Sequence, residues 1–287
     1  MNTAGSPIAL LDEVAPDFGA TLDTSCSPVV ARVPVIRASG RRHEFVLHVS
    51  VTGSTASASE APPGQLPSFC PDRHINGDHT FCLGWGPTSP STVVDRAGAE
   101  RWWTAVLRFL GRQVTANEIR RWVNGPHDWA HGDAAQHQVH VEAAADVLGP
   151  RFRADLQRGA FRVVREPHTR GARIALTRNG TYVARIVLGP PARLKDGDVP
   201  CPCDGLGNPS VARCVDHADH LTTFIAELWN WRDREARFAR ELARTGSRCC
   251  GTLDHCTLRN AIADVARQNK EKELHARRHR PRRRPRL

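Results

Sequence analysis

Lysine is nearly absent from this chain: only Lys195, Lys270 and Lys272 stand among 40 basic residues, and the rest are arginine. A GC-rich coding bias explains such a skew, and so does pressure on an acyl-transferring protein to carry few amines of its own. Long apolar runs are missing too. Nothing approaches the roughly 20 residues of a membrane span, which excludes a membrane-spanning helix. Met1 to Asp12 holds no basic residue and only a short apolar patch, so it does not read as a secretory leader. Cysteine is sparse, nine in 287 residues, far below the density of a secreted disulfide scaffold. These absences point to a soluble cytoplasmic protein with reduced thiols, where cysteines serve more often as metal ligands or nucleophiles.

What is present is unevenly placed. Forty per cent of residues are hydrophobic, enough for a packed core, and 287 residues suggest about two domains. The formal charge of +10 is concentrated at the end: residues 270–287 carry nine Lys/Arg against two Glu. Arg277 to Arg286 can bind nucleic acid non-specifically through phosphate contacts, but no aromatic residue is there to stack on bases. Six cysteines lie between Cys201 and Cys256. The other three are Cys26, Cys70 and Cys82.

The patterning predicts an α+β protein. Residues 29–38 and 43–51 alternate apolar and polar and read as an antiparallel pair. Residues 52–65 and 67–92 read as loop, the second long enough to be functional. Helical spacing begins at Asp95, with Trp103, Val106, Leu107 and Leu110 on one face and Gly111 as a stop. Asp133 and Gln136 form a capping-box signature for a helix ending at Gly149-Pro150. Phe161–Glu166 and Ala172–Leu188 are strands, the latter folded at Asn179-Gly180. Leu221 to Leu242 and a segment from Leu258 are amphipathic helices. The expected division is residues 1–150, then 151–268, then a disordered basic tail, 269–287.

The richest stretch runs from Leu66 to Trp85. It sets Cys82 after a polar, turn-rich loop holding His74, Asn76, Asp78 and His79, and before an apolar Leu83 and Trp85. A thiol near hydrogen-bonding or positive groups is a usable nucleophile, and a donor beside it can stabilise the oxyanion of acyl transfer. Two other readings stay open: a metal site from Cys70, His74, His79 and Cys82, or a thiol that is a small buried hydrophobe.

The order of two strands, Pro62-Pro63, the His74–Cys82-Leu83 loop, Ser89-Pro90 and the Trp103–Leu110 helix resembles the ubiquitin-conjugating enzymes over residues 25–125. Together with the cysteine-rich second half, the chain resembles bacterial cysteine-rich proteins associated with ubiquitin-conjugating-like domains. The resemblance implies that Cys82 carries a ubiquitin-like protein as a thioester, with an activating enzyme and protein targets as partners. It also shows a departure: counting back from the cysteine without gaps, the family's asparagine falls on His74. The oxyanion support is therefore histidine, or Asn76 after a shorter loop.

Cys201-Pro-Cys203, then Cys214 and His217, place three thiols and an imidazole within 17 residues, a set that zinc takes tetrahedrally. The opening resembles the short SEC-C zinc motif, with a longer gap to the third cysteine. Cys249, Cys250 and Cys256 form a second group. A straight helix from Leu221 to Arg244 would span about 36 Å and keep the groups apart, so a shared structural zinc region requires a break near Asn230–Asp233. His127, His131, His137 and His140 are a further histidine cluster, for metal or for a surface role. The competing functional reading is a zinc-stabilised adaptor whose conjugating-like domain has lost its chemistry.

Overall fold

The computed structural model describes residues 5–37, 39–86, 89–123, 128–167, 172–205, 209–214 and 217–278. The protein is α+β, as the patterning predicts. It forms two compact units, Met1–Asp128 with Ala239–Leu287, and Trp129–Phe238.

The first unit opens with α1 (Pro7–Val14), whose first turn is capped by the Ser6 hydroxyl accepting from the Ala9 N–H at 3.3 Å. Four antiparallel strands follow in a meander: β1 (Thr21–Asp23), β2 (Val29–Ile36), β3 (Arg42–Thr52) and β4 (Thr55–Glu60). Register sets Ala31 opposite Leu47 and Val33 opposite Phe45, so one face of the sheet is apolar and buried. β4 corrects the expected loop over 52–65. Its inward residues are only Ala56 and Ala58, fully buried against the core, while Ser and Thr face outward, so no large side chain signals it. Its outer edge is not left open. Ala56 N–H donates to Ser91 O, Val93 N–H to Ser54 O and Phe81 N–H to Ala58 O, each at 2.8 Å.

The helix α2 (Arg96–Ile119) starts where the Asp95 carboxylate accepts from the Gly98 N–H at 2.6 Å. It runs through Gly111, the expected stop. Gly111 costs about 1 kcal/mol against alanine, and burial of Trp102, Trp103, Val106, Leu110 and Val114 along one stripe outweighs that. Both indole donors are satisfied, Trp103 Nε1 to Leu11 O at 2.9 Å and Trp102 Nε1 to Ala56 O at 3.2 Å.

The second unit begins with α3 (Ala134–Leu148) and α4 (Pro150–Gln157). Asp133 precedes α3 but its side chain makes no capping bond, so the capping-box expectation is not met. Gly149 separates the two helices at φ 119°. A Cβ there would sit 2.6 Å from the Asp204 carboxylate oxygen that accepts from the Arg151 N–H. A second meander follows, β5 (Phe161–Glu166), β6 (Ala172–Arg178), β7 (Thr181–Leu188) and β8 (Arg193–Leu194), in that order. Asn179 and Gly180 both have positive φ, the turn their pairing predicts.

Then comes α5 (His217–Arg244), 28 residues without interruption, so the expected break near Asn230–Asp233 does not occur. Phe224 on α5 meets Phe152 and Phe161 with ring centroids 4.8 and 5.0 Å away. Buried Asp155 answers Arg158 and Arg178. Burial alone would raise its pKa, but the two guanidiniums hold it below the usual carboxylate value.

The last element, α6 (Thr257–Arg278), belongs to the first unit. Its first backbone N–H, Thr257, donates to Asp72 Oδ2 at 2.6 Å. The basic segment expected to be disordered from 269 is helical as far as Arg278, and residues 279–287 lie outside the described residues.

Candidate functional site

In the first unit the loop holding Cys82 is irregular but tightly bonded. Cys70 begins a single 3-10 turn, Pro71–Arg73, which ends at His74 with φ 55°. Cys70 and Ile75 exchange backbone hydrogen bonds at 3.2 and 3.0 Å, closing the turn, and the Cys82 N–H donates to His74 O at 2.8 Å. Phe81 is buried and stacks on Phe109 of α2 with centroids 4.4 Å apart. The apolar residues flanking the polar loop thus anchor the segment that carries the thiol.

Cys82 opens into a small pocket with His74, Arg108, Phe109, Arg112, Trp122 and Asp128. Arg112 forms a half-buried ion pair with Asp128. His74 packs on Trp122 at a centroid distance of 5.5 Å. The Trp122 Nε1–H is buried without a hydrogen-bond partner among the described residues, a donor available for an acceptor. Burial pushes the Cys82 thiol above its ordinary pKa and the Asp128 charge adds to that. The Gly84 N–H works the other way but does not prevail. The resting group is therefore the thiol, and two arginines line the same pocket, Arg112 paired with Asp128.

Of the candidates around Cys82, His74 shares its pocket. Asn76 and Asp78 do not. Asn76 Nδ2 donates to Thr80 Oγ1 at 3.0 Å, and Asp78 Oδ1 accepts from Thr80 N–H and Oγ1–H at 3.1 and 2.7 Å. Thr80 thereby holds Asp78 below the ordinary carboxylate pKa. These two residues shape an exposed turn two positions before the thiol. Cys70, His74, His79 and Cys82 do not gather into a ligand set among the described residues.

Sequence reasoning missed Arg108, Arg112, Trp122 and Asp128. A signal for the first two was there: Ala105, Arg108, Phe109 and Arg112 fall at i, i+3, i+4 and i+7, one stripe of α2 bearing two cations among apolar residues.

The second unit gathers the other predicted set. The ligand atoms of Cys201, Cys203, Cys214 and His217 all lie within 4.8 Å of one another, with the two Cys-Pro-Cys thiols buried. Cys214 Sγ is 2.9 Å and Cys201 Sγ 3.5 Å from His217 Nδ1, and Cys203 lies 3.9 Å from Cys214. The bridge Pro200–Ser210 and the Cys201 N–H to Pro209 O bond at 2.8 Å clamp the loop's neck, and His217 is the first residue of α5. Burial pushes the Cys201 thiol up to about 12, whereas at Cys203 the Gly205 N–H and neighbouring thiols overcome burial and lower it. Three thiols so close cannot all ionise without a cation among them, and such a donor set is compatible with a metal site.

Cys249, Cys250 and Cys256 are in the first unit and do not join that set. Cys250 Sγ lies 2.9 Å from Cys70 Sγ. In the second unit His137 and His140 both face Glu227 of α5, at 2.6 and 3.4 Å, and His131 faces Glu235 at 3.3 Å. His127 lies outside the described residues.

No helix among the described residues is long and apolar enough to cross a membrane. The family model of the prokaryotic E2 domain matches residues 18–124, and that of a cysteine-rich domain C-terminal to the E2 domain matches residues 130–258. No curated protein and no solved structure matches the chain.

Proposed function

Because the chain joins a prokaryotic E2 domain to the cysteine-rich domain that follows such domains, we propose that it carries a ubiquitin-like protein as a thioester on Cys82 and passes it to an amine on a protein target. The observation that carries this reading is the pocket: a thiol at the mouth of a bonded loop, with two arginines and a spare indole donor beside it.

In the first step the Cys82 sulfur, its proton lost to solvent or a base on the activating enzyme, attacks the modifier's terminal thioester carbonyl. The activating enzyme's thiolate leaves. In the second step the target amine attacks the Cys82 thioester, the Cys82 thiolate leaves, and the proton the amine gives up passes through solvent to that sulfur. Both steps pass through a tetrahedral oxyanion. Arg108 and the Trp122 N–H are the donors for it. Arg112 is engaged by Asp128 and orients that wall. His74 holds the Cys82 backbone through its carbonyl and lines the pocket, while Asn76 and Asp78 act at one remove by fixing the turn. In the second unit, Cys201, Cys203, Cys214 and His217 would hold a structural zinc, which contributes folding energy and no chemistry. Binding it releases the thiol protons.

Incubation with the cognate activating enzyme, ATP and ubiquitin-like protein should give a reductant-sensitive adduct. Cys82→Ser should lose it or trap a reductant-resistant oxyester. No adduct on the wild type with a competent activating enzyme would refute the carrier reading. Two observations favour the alternative, a zinc-stabilised adaptor: burial keeps the Cys82 thiol protonated, and no asparagine among the described residues lines its pocket.

A further inference from the structure

Away from both sites, the first unit holds a second thiol cluster. Cys70 is 1% exposed and Cys250 half-buried, with their sulfurs 2.9 Å apart. Beside them Arg73 is fully buried, yet its guanidinium meets only neutral acceptors: Gln113 Oε1 at 2.7 Å, Gln113 O at 3.3 Å, Asn117 Oδ1 at 2.7 Å and Thr252 Oγ1 at 3.0 Å. Glu60 acts on it only through space, and a buried cation whose bonds are all to neutral groups is costly. The Thr252 hydroxyl that accepts from Arg73 also lies 3.1 Å from Cys250 Sγ, so a relay of two hydrogen bonds joins the cation to that sulfur. The Cys250 S–H donates to Cys70 Sγ, and when Cys250 gives up that proton the relay through the Thr252 hydroxyl pairs its thiolate with the buried cation.

The contact is not that of metal ligands. Zinc thiolates at 2.3 Å from the ion sit about 3.8 Å apart, and no third Cys, His or carboxylate atom among the described residues gathers with these two.

We propose that Cys70 and Cys250 are a thiol–disulfide exchange site whose substrate is a low-molecular-weight disulfide, RSSR. The more exposed Cys250 thiolate attacks one sulfur of RSSR, giving a Cys250–SR mixed disulfide and RS⁻, which takes up the proton Cys250 had released. Buried Cys70 then gives its proton to solvent and attacks Cys250 Sγ, expelling a second RS⁻ that is protonated in turn. Two protein thiols are oxidised to one disulfide and RSSR is reduced to two RSH. Burial orders the steps, because RSSR reaches only Cys250 and Cys70 reaches only the Cys250 sulfur. The product ties residue 250 to residue 70, where the Cys82 loop begins.

The test treats the full-length protein with oxidised glutathione, quenches with acid, alkylates and maps peptides by mass spectrometry. The wild type should yield a linked Cys70–Cys250 peptide, and Cys82→Ser should yield the same, which separates this inference from the carrier reading. Cys70→Ser and Cys70→Ala should accumulate glutathione on Cys250 at least tenfold above wild type, and Cys250→Ser should leave Cys70 as a free thiol. Glutathione persisting on wild-type Cys250 beside a free Cys70 would overturn the proposal. So would resistance of both thiols to glutathione and alkylator that ends when bound metal is chelated from a Cys203→Ser protein.

Discussion

The two units use cysteine in opposite ways. In the first, Cys82 has no thiol beside it in its pocket, on a loop whose rigidity comes from backbone bonds to His74 and to β4. In the second, three thiols and an imidazole meet in a loop clamped at its neck and tied to α3 and α4 through Asp204, with an aromatic cluster for the rest of the core. The first loop can keep its shape whatever Cys82 is doing. The second has a shape that its own sulfurs, crowded and mostly protonated, disfavour unless a cation joins them. The Cys82 thiol stands alone and is supported by backbone bonds from elsewhere, whereas the thiols of the second loop are brought together.

Measurements on both units test that contrast. The largest effect should follow metal removal. A strong chelator, or Cys203→Ser, should lower the melting temperature of the second unit by more than about 10 °C, since structural zinc is worth several kcal/mol of folding energy in such sites. Calorimetry with and without chelator checks this, and an unchanged melt would mean that no metal holds the loop. Next in size, Trp103→Ala should cost the first unit about 3–5 kcal/mol in denaturant unfolding, because the indole is fully buried and its N–H binds Leu11 O. A loss below about 1 kcal/mol would contradict the support attributed to α2.

Cys82→Ser should abolish thioester formation yet shift stability by less than about 1 kcal/mol, in contrast to Cys203→Ser. Its pH behaviour has a definite sign. A thiol whose pKa is raised on folding adds stability that is complete below the unfolded value and lost as pH rises through the folded one. Alkylation of Cys82 should accordingly be slow at pH 7 and still climb above pH 9. Cys250 behaves oppositely, held down to about 5, chiefly by the Cys70 hydrogen bond. It should alkylate at pH 6 in the same digest. The smallest effect is expected from Asp95→Ala, about 1 kcal/mol for the lost helix cap, seen by urea unfolding of the first unit.

Much of this was legible from short-range pattern. β2, β3 and the Asn179-Gly180 hairpin follow from alternation and turn chemistry, and Cys201, Cys203, Cys214 and His217 lie within 17 residues, so spacing alone nearly closes the set. β4 was hidden because alanine fills a tight core position without looking hydrophobic enough to mark a strand. Gly111 misled because tertiary burial overrode a local preference. The Cys82 pocket was half visible. His74 is eight residues away, but Trp122 and Asp128 arrive from beyond α2, and no local rule couples them to the loop. Cys70 and Cys250, 180 residues apart in sequence, could be paired only by folding.

The bonds along the outer edge of β4 bear on how the protein avoids misassembly. A bare edge invites another chain to add a strand, the usual route to aggregation or domain exchange. Here the segments on both sides of Cys82 occupy that edge, through Phe81 on one flank and Ser91 and Val93 on the other. An intruding strand would have to peel those segments away first. Protection of that edge and the shape of the thiol loop therefore rest on the same few backbone hydrogen bonds.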